Sequence, residues 1–417
     1  MMKNSRNIKE YNLGDIGDIV TGTTPSTKDG KSWIGEIDFL TPTDIDLYDY
    51  DPKVSRKVNG EINTRYTSKI IRDEALAVVC IGATIGKLAR INRPTLTNQQ
   101  INAILPYKEI ADRDFLFYYL TLYESYFRRL AGGSATPLIV KSDFEKIKIQ
   151  LPDPKTQKKI SKFLTKFDEL IAENKTLLQD LNRLASAIYS YWFLQYDFSD
   201  SNNRAYSSNG GKLKFNAELN LEIPDDWEVS KLNKFVEIVT GYSFNSKDYK
   251  KNGIFGVVTI KNVKDEILDL SNQNYVDIDI NSFPKQFMLN EGDVLISLTG
   301  NVGRVAIVHT SNQLLNQRVG KLIPNKHFRN FVYLYLIRPE TKKRLINIAN
   351  GSSQDNLSPG DVFNDLIPIP PTDCLEKFDM QINPIMQNIL LIQNQVNSLV
   401  AFRNKLLPLI LNQKIKI

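Results

Sequence analysis

The stretch LPDPKTQKKISKFLTKFDELIAENKTLLQDLNRLASAIYSYWF, Leu151 to Phe193, decides how this chain folds. Within it Ile160, Leu164, Phe167, Ile171, Asn174, Leu178, Leu181, Ala185, Ile188 and Trp192 recur at spacings that alternate between four and three without a break. That is a heptad seam, polar only at Asn174, and it predicts one helix of about 40 residues, roughly 60 Å long. A globular domain needs far less. A polar seam residue usually sets the register between helices, so Asn174 is expected to do so here. A second stretch near the C-terminus, Ile389, Ile392, Val396, Leu399, Phe402, Leu406 and Leu409, keeps a similar period apart from two successive steps of three around Leu399.

Working outward, the chain makes nearly the same statement twice, and each copy ends in one of these helices. Val20-Thr21-Gly22 is answered by Val239-Thr240-Gly241, 219 positions on, and Gly82 by Gly300, 218 on. Asn98-Gln99 matches Asn316-Gln317, Gly133-Ser134 matches Gly351-Ser352, and Leu151-Pro152 matches Ile369-Pro370, all again at 218. Solenoid repeats recur every 20 to 50 residues, so a period this long means a duplicated domain. Outside the landmarks the copies differ, which implies one backbone scaffold carrying two surfaces.

From Tyr11 to Leu151 short apolar runs broken by Gly, Pro and Asn predict strands, clearest over Ala75 to Arg90 and Ile101 to Leu105. One helix interrupts them, ADRDFLFYYLTLYESYFRRLAG, opened by Asp112 or Asp114 and stopped at Gly132-Gly133. The second copy predicts strands at Val257 to Ile260, Val294 to Leu298 and Val305 to His309, then a helix from about Phe331 to Ala349. Between the copies SDSNNRAYSSNGGK, residues 199 to 212, reads as a surface linker.

At 417 residues and 42% hydrophobic, the chain can bury two sizeable cores. Its 53 basic and 47 acidic residues leave a net +6, compatible with an anionic partner without requiring one. Two cysteines, Cys80 and Cys374, and two histidines, His309 and His327, argue against a structural zinc site or a disulfide framework. No apolar run reaches the eighteen or so residues of a membrane span, and MMKNSRNIKEYNLGD has no apolar signal core, so a cytoplasmic protein is expected.

The motifs point to binding more than to chemistry. IGATIGK, Ile81 to Lys87, has one residue too few between its glycines for a phosphate loop and Leu88 where Ser or Thr belongs; a tight turn with a basic tip fits better. The second copy shortens the interval at Gly300 to Arg304 and keeps the cation. Asn98-Gln99-Gln100 and Asn316-Gln317-Arg318 follow strands, where amides and Arg can read adenine and guanine edges or simply satisfy backbone groups. The polar loops TGTTPSTKDGKSW and TGYSFNSKDYKKNG offer hydroxyls, Asn and Lys suited to phosphate positioning, as any solvated loop would. No nucleophile elbow, His-Glu-x-x-His, dinucleotide fingerprint or amino-methyltransferase motif is present, and Pro224-Asp225 with Glu228 and Lys231 only faintly resembles a nuclease set.

These residues together resemble the DNA specificity subunit of a type I restriction-modification system. The resemblance is carried by IPDDWEVSKLNKFVEIVTG (Ile223 to Gly241), GDVLISLTGNVGRVAIV (Gly292 to Val308), LNQRVGKLIP (Leu315 to Pro324), IPIPP (Ile367 to Pro371) and RNKLLPLIL (Arg403 to Leu411). In the first copy it is carried by VTGTTPST, LTNQQINAILP and LPDPKTQKKISKFLTKFDELI. The family's Gln near the helix start and its Asp a turn or two later are visible as Gln157 and Asp168, while the second helix offers Glu376-Lys377 and no clear equivalent. Val78-Val79-Cys80-Ile81 also matches Ile296-Ser297-Leu298-Thr299 poorly.

The resemblance implies an α+β chain of two pseudo-symmetric mixed α/β target recognition domains, separated by two long helices packed as an antiparallel coiled coil. The expected segments are 1–151 for the first reader, 152–196 for the first helical spacer, 197–371 for the linker and second reader, and 372–417 for the second spacer. Each reader would take one half of a split site on double-stranded DNA. Expected DNA contacts, placed by loop position and polarity, are Thr24, Ser26, Lys28, Lys87, Gln99 and Gln100 in the first copy. In the second they are Ser246, Lys247, Lys261, Asn262, Arg304, Gln317 and Arg318. Two methyltransferase subunits, and in some systems a motor-nuclease subunit, would dock on the helices, with Lys159, Lys162, Tyr189 and Trp192 as the docking residues; Lys158 and Lys166 add to that basic face. No catalytic residue, metal or cofactor is expected in this chain; S-adenosylmethionine, ATP and Mg would sit on the partners. The competing readings are a non-catalytic protein-interaction scaffold of two β-rich domains on a coiled coil, and a stand-alone restriction-class enzyme.

Overall fold

The computed structural model describes residues 8–28, 30–45, 51–59, 64–132, 137–200, 204–271, 273–350 and 356–412. The landmark pairs Gly133-Ser134 and Gly351-Ser352 lie outside them. The chain divides into two compact units: unit 1 holds Met1–Glu169 with Phe402–Ile417, and unit 2 holds Leu170–Ala401. Each long helix therefore contributes residues to both units, a division that cuts across the expected spacer segments.

In unit 1 an antiparallel sheet runs in the order Gly17–Thr21, Ile101–Pro106, Ala75–Val79, Leu88–Ile91. A second sheet runs Arg56–Val58, Ile37–Leu40, Thr95–Thr97, Ile70–Ile71, with its central pair parallel. All five residues of Ala75–Val79 are buried because both faces of this strand are covered. Leu76 and Val78 face the core shared with the helices, whereas Ala75, Ala77 and Val79 join Ala89 and Ala103 in the core that also holds Leu40 and Ile71 of the second sheet.

Unit 2 repeats this topology strand for strand. Its sheets run Val236–Thr240, Val319–Pro324, Val294–Ser297, Val305–Ile307 and Asn274–Val276, Phe255–Val258, Gln313–Leu315, Met288–Leu289, the central pair of the second again parallel. In both units the strand that opens the repeat pairs antiparallel with the last strand, Lys9–Asn12 with Lys148–Leu151 and Glu228–Lys231 with Leu366–Ile369, and a long helix follows at once.

The long helices span Pro154–Phe193 and Thr372–Leu411, 40 residues each. The first opens with Pro154, whose missing N–H costs nothing at a helix start, behind Asp153, which accepts from the Thr156 N–H at 3.0 Å. In unit 1 its early residues Ile160 and Leu164 share a core with Leu407 and Ile410. In unit 2 its later residues Leu178, Ala185 and Tyr189 share one with Phe378, Ile382 and Ile389. The helices are thus antiparallel.

Several local expectations need correction. The single helix read over residues 111–132 is two, Arg113–Thr121 and Glu124–Leu130; the Thr121 hydroxyl donates back to the Phe117 carbonyl at 2.8 Å, a bond that bends helices. Its counterpart is split into Phe328–Ile337 and Pro339–Asn350, because Pro339 lacks an N–H and holds Arg338 extended. Residues 204–212 of the expected surface linker are exposed or half-buried, and the segment is tied down at two places: Tyr206 stacks on Phe198 at 4.6 Å, which itself stacks on Trp227 at 5.4 Å, and buried Asp197 accepts from the Ser208 N–H and hydroxyl. A hairpin, Leu213–Asn216 with Leu221–Pro224, follows it. Asn174 donates its amide to Leu170 O of its own helix at 2.8 Å, and among the described residues no hydrogen bond joins it to the other helix. Near the C-terminus Phe402 and Leu409 are exposed while Arg403, Leu407 and Ile410 are buried, one position off the apolar series.

Candidate nucleic-acid interface

In unit 1 three of the landmark segments meet at one place. A Cβ on Gly22 would lie 2.2 Å from the Thr97 carbonyl oxygen, so only glycine lets the following loop lie against that strand. The Thr23 N–H donates to Thr97 O at 2.8 Å, and the Thr24 hydroxyl donates to the Gln99 amide oxygen. Asn98 accepts from the Gln100 N–H at 2.7 Å, closing an Asx turn that pushes Gln99 outward. The Gln100 carbonyl then accepts from the Cys80 N–H at 2.8 Å, which brings in the glycine turn. Gly82 and Gly86 sit at φ +91° and +90°, a backbone that other residues rarely adopt.

Unit 2 builds the same junction on different side chains. A Cβ on Gly241 would meet Leu315 O at 2.1 Å; the Tyr242 N–H donates to that oxygen at 2.8 Å and its carbonyl accepts from the Gln317 N–H at 3.1 Å. Asn316 accepts from the Arg318 N–H at 3.2 Å, and the Arg318 carbonyl from the Leu298 N–H at 3.2 Å. Gly300 and Gly303 again have positive φ. Where unit 1 places Thr23, unit 2 places Tyr242 against Phe244, Phe283 and Phe287, with ring centroids 5.0, 5.5 and 5.8 Å away.

The expected contact residues fall into three groups. Ser26, Lys28, Gln99, Ser246, Lys247, Lys261, Gln317 and Arg318 are exposed, and Thr24 and Gln100 are half-buried beside them. The cations of the glycine turns are engaged by the protein: Lys87 Nζ donates to Ile45 O at 2.5 Å, and Arg304 lies 4.0 Å from Asp265, which also pairs with Lys342 at 2.6 Å. Lys87 is therefore a brace under the turn, where a basic tip was expected. Asn262 is buried, donating to Asp269 O at 2.9 Å and accepting from the N–H and hydroxyl of Thr259, so it shapes its loop from inside. Asn98 and Asn316 likewise follow the plainer of their two readings, since both satisfy backbone.

On the first long helix Lys159 and Lys162 are exposed, as the docking expectation requires. Tyr189 and Trp192 are not. Both are buried in the unit 2 core, Tyr189 at 5.5 Å from Phe331 and Trp192 at 5.5 Å from Phe378, so their apolar surface is spent inside the chain.

Gln157 and Asp168 prove to be internal ties. Gln157, fully buried, donates to Ile110 O and Pro152 O at 2.9 and 2.8 Å and accepts from the Asp112 N–H at 2.9 Å. Asp112 in turn caps the short helix through the Phe115 N–H. Asp168 receives the Tyr118 hydroxyl and Arg403, with Arg90 Nη1 3.5 Å away and Arg90 Nε 2.8 Å from Asp114. Burial and the neighbouring carboxylate push the Tyr118 hydroxyl well above its ordinary pKa, although Arg90 opposes this, so it stays a donor. In unit 2 the tie uses other residues: Asn330 donates to Asp379 and Asn383, both at 2.8 Å, and His327 lies 3.1 Å from Asp379 and 3.3 Å from Glu376. Nothing along the chain singles out Arg90, Tyr118, Arg403 or Asp379 as members of these ties, because a single charged or phenolic residue has no periodicity.

Among the described residues no group of three or more His, Cys, Asp or Glu is placed to hold a metal, and no helix is long and apolar enough to cross a membrane. Both cysteines are free and buried, and burial pushes their thiols up to about 12.

Comparison with known proteins agrees with this duplicated plan. The chain is 28% identical over 413 residues to the type I restriction enzyme MjaIX specificity subunit of Methanocaldococcus jannaschii, covering 95% of this chain and 90% of that protein. It is 30% identical over 176 residues to the HindI specificity subunit of Haemophilus influenzae, 40% of this chain. A crystal structure of the S subunit of a type I restriction-modification system from M. genitalium shares the fold, with a TM-score of 0.56, 16% identity and coverage of 98% of this chain and 96% of that one. The family described as type I restriction modification DNA specificity domain matches twice, over residues 5–183 and 224–400, and the chain belongs to that family.

Proposed function

We propose that this chain is the sequence-specific DNA-binding subunit of a type I restriction-modification complex, with no catalytic role of its own. The observation that carries this reading is the repeated junction: one backbone arrangement presents Ser26, Lys28 and Gln99 in unit 1 and Lys247, Gln317 and Arg318 in unit 2. A common scaffold with two chemistries suits a reader of two unlike half-sites. By this reading residues 1–151 and 197–371 hold the readers, each taking one half of a bipartite site, and 152–196 and 372–417 are spacers. The helices set the number of unread base pairs and dock two methyltransferase subunits, with a motor-nuclease subunit joining in restriction-competent complexes. S-adenosylmethionine, ATP and Mg belong to those partners, and the complex acts in the cytoplasm. The exposed contact residues lead; Lys87, Arg304 and Asn262 act by holding their loops.

The test is binding to duplex DNA over a salt series. Phosphate contacts release counterions, so the logarithm of affinity should fall linearly with the logarithm of salt, by roughly 0.9 per phosphate neutralised. A protein-only scaffold would show no slope, and that result would end the proposal. Incubating the chain alone with DNA and labelled S-adenosylmethionine should transfer no label; transfer would favour a stand-alone enzyme.

A further inference from the structure

Tyr242 is the outermost ring of an aromatic cluster built at the unit 2 junction. Beneath it Val257, Val276 and Leu314 are buried, and the half-buried Phe244 and Phe283 pack on them. Those two rings are themselves stacked, with centroids 6.0 Å apart and planes 17° from parallel. Tyr242 rests against both and against Phe287, and it is 43% exposed. Its backbone is pinned on both sides, because Gly241 closes against Leu315 O and the Tyr242 carbonyl accepts from the Gln317 N–H. An aromatic tip is thus fixed next to a residue whose amide side chain is exposed. The segments that supply the rings also carry exposed Ser243, Ser246, Lys247 and Lys285. Exposed apolar surface rimmed by polar groups marks an interaction site.

We propose that Tyr242 is a specificity-determining residue of unit 2, reading the 5-methyl group of a thymine in the half-site that this unit takes. The proposal rests on the functional reading above and deepens it. Base edges are polar except at one place, since the thymine methyl is the discrete apolar group that a base pair presents in the major groove. A tyrosine kept only for its hydroxyl, to bond a phosphate, would need no bed of three phenylalanines. Insertion between base pairs would need both faces of the ring free, whereas the neighbouring rings hold Tyr242 in place. The adjacent Gln317 has the amide that suits an adenine edge, so the two side chains together would sense A·T pairs. Unit 1 has the half-buried Thr23 at this position, a residue without a ring, so the thymine requirement belongs to one half-site alone.

The experiment uses the complex of the full chain with its methyltransferase subunit, and duplexes carrying the sequence that this complex methylates in cells. Each thymine in both half-sites is replaced in turn by deoxyuridine, which keeps the base pair and removes only the methyl group. One replacement should weaken binding about fourfold, the worth of burying a single methyl-sized group. Tyr242→Ala should abolish that difference and Tyr242→Phe should keep it, with every other position unchanged. The proposal is overturned if no replacement has an effect that depends on Tyr242, or if Tyr242→Phe loses the effect, which would make the hydroxyl the reader. If Tyr242→Ala melts early, Tyr242→His, which keeps a ring on the phenylalanines but makes it polar, must lose the sensitivity in its place. A complex with no preference among duplex sequences sinks the functional reading itself, a result distinct from selective binding that ignores the methyl group.

Discussion

Asp168 on the first long helix and Arg403 on the second, 235 positions apart in the chain, form an ion pair inside unit 1, with side chains only 2% and 6% exposed. Arg90, also buried, is 3.5 Å from the same carboxylate. Removing one member of a buried pair strands the other, typically at a cost of about 3–5 kcal/mol. Asp168→Ala should therefore destabilise unit 1 by about that much and more than Arg403→Met, because it takes the carboxylate from Arg403 and leaves Arg90 with Asp114 alone. Chemical denaturation followed by circular dichroism checks the order; equal losses would show that Arg90 does not depend on Asp168.

The two exposed glutamines should act on separate halves of the target. Gln99→Ala is expected to loosen discrimination in one half-site and Gln317→Ala in the other, each by about 1–3 kcal/mol at a single position. Sequencing the methylated positions in cells that carry each variant with its partners reads this directly. A change in both half-sites from one substitution would contradict independent readers.

Helix length should appear in the recognised sequence. One heptad is about 10.5 Å of helix, close to three base pairs at 3.4 Å. Deleting matched heptads from both long helices should change the number of unread base pairs while each half-site stays as it was. An unchanged spacing in the methylation map would rule out the helices as the ruler.

His309 makes unit 2 sensitive to acid. Burial holds its imidazole below the ordinary value of 6.5, although the Leu268 carbonyl, 3.2 Å from Nε2, pulls the other way. The unfolded chain takes up its proton near 6.5 and the folded chain only at lower pH, so this contribution is complete above about 6.5 and is lost as pH falls towards the folded value. The melting temperature of the unit should drop as pH is lowered from about 7.5 to 5. His309→Asn should flatten that drop, and an identical pH profile in the variant would remove His309 as its cause.

Much of the fold is legible in the sequence. The duplication was plain because its landmarks are backbone requirements: Gly22 and Gly241 where a Cβ would strike a carbonyl, and Gly82 and Gly300 where φ is positive. The long helices were plain because their buried positions repeat. The break at Pro339 is also written in the sequence, through a residue without an N–H. The break near Thr121 left no such mark, since it depends on one hydroxyl turning back to Phe117.

The sequence by itself determined the repeat, the strand order's likeness between the copies, the heptad seam and the family, because each is a periodic or local constraint that spacing records. The tertiary structure alone decided which polar residues face outward. Lys87, Asn262, Tyr189 and Trp192 look like surface or partner residues when read along the chain, yet each is engaged inside it by residues far away or by its own loop. Leu170, Leu177 and Leu184 belong to the same class: their spacing is in the sequence, but only packing shows that they are exposed while Ile171, Leu178 and Ala185 beside them are buried. Burial is a sum over distant neighbours, and no single stretch of sequence contains that sum.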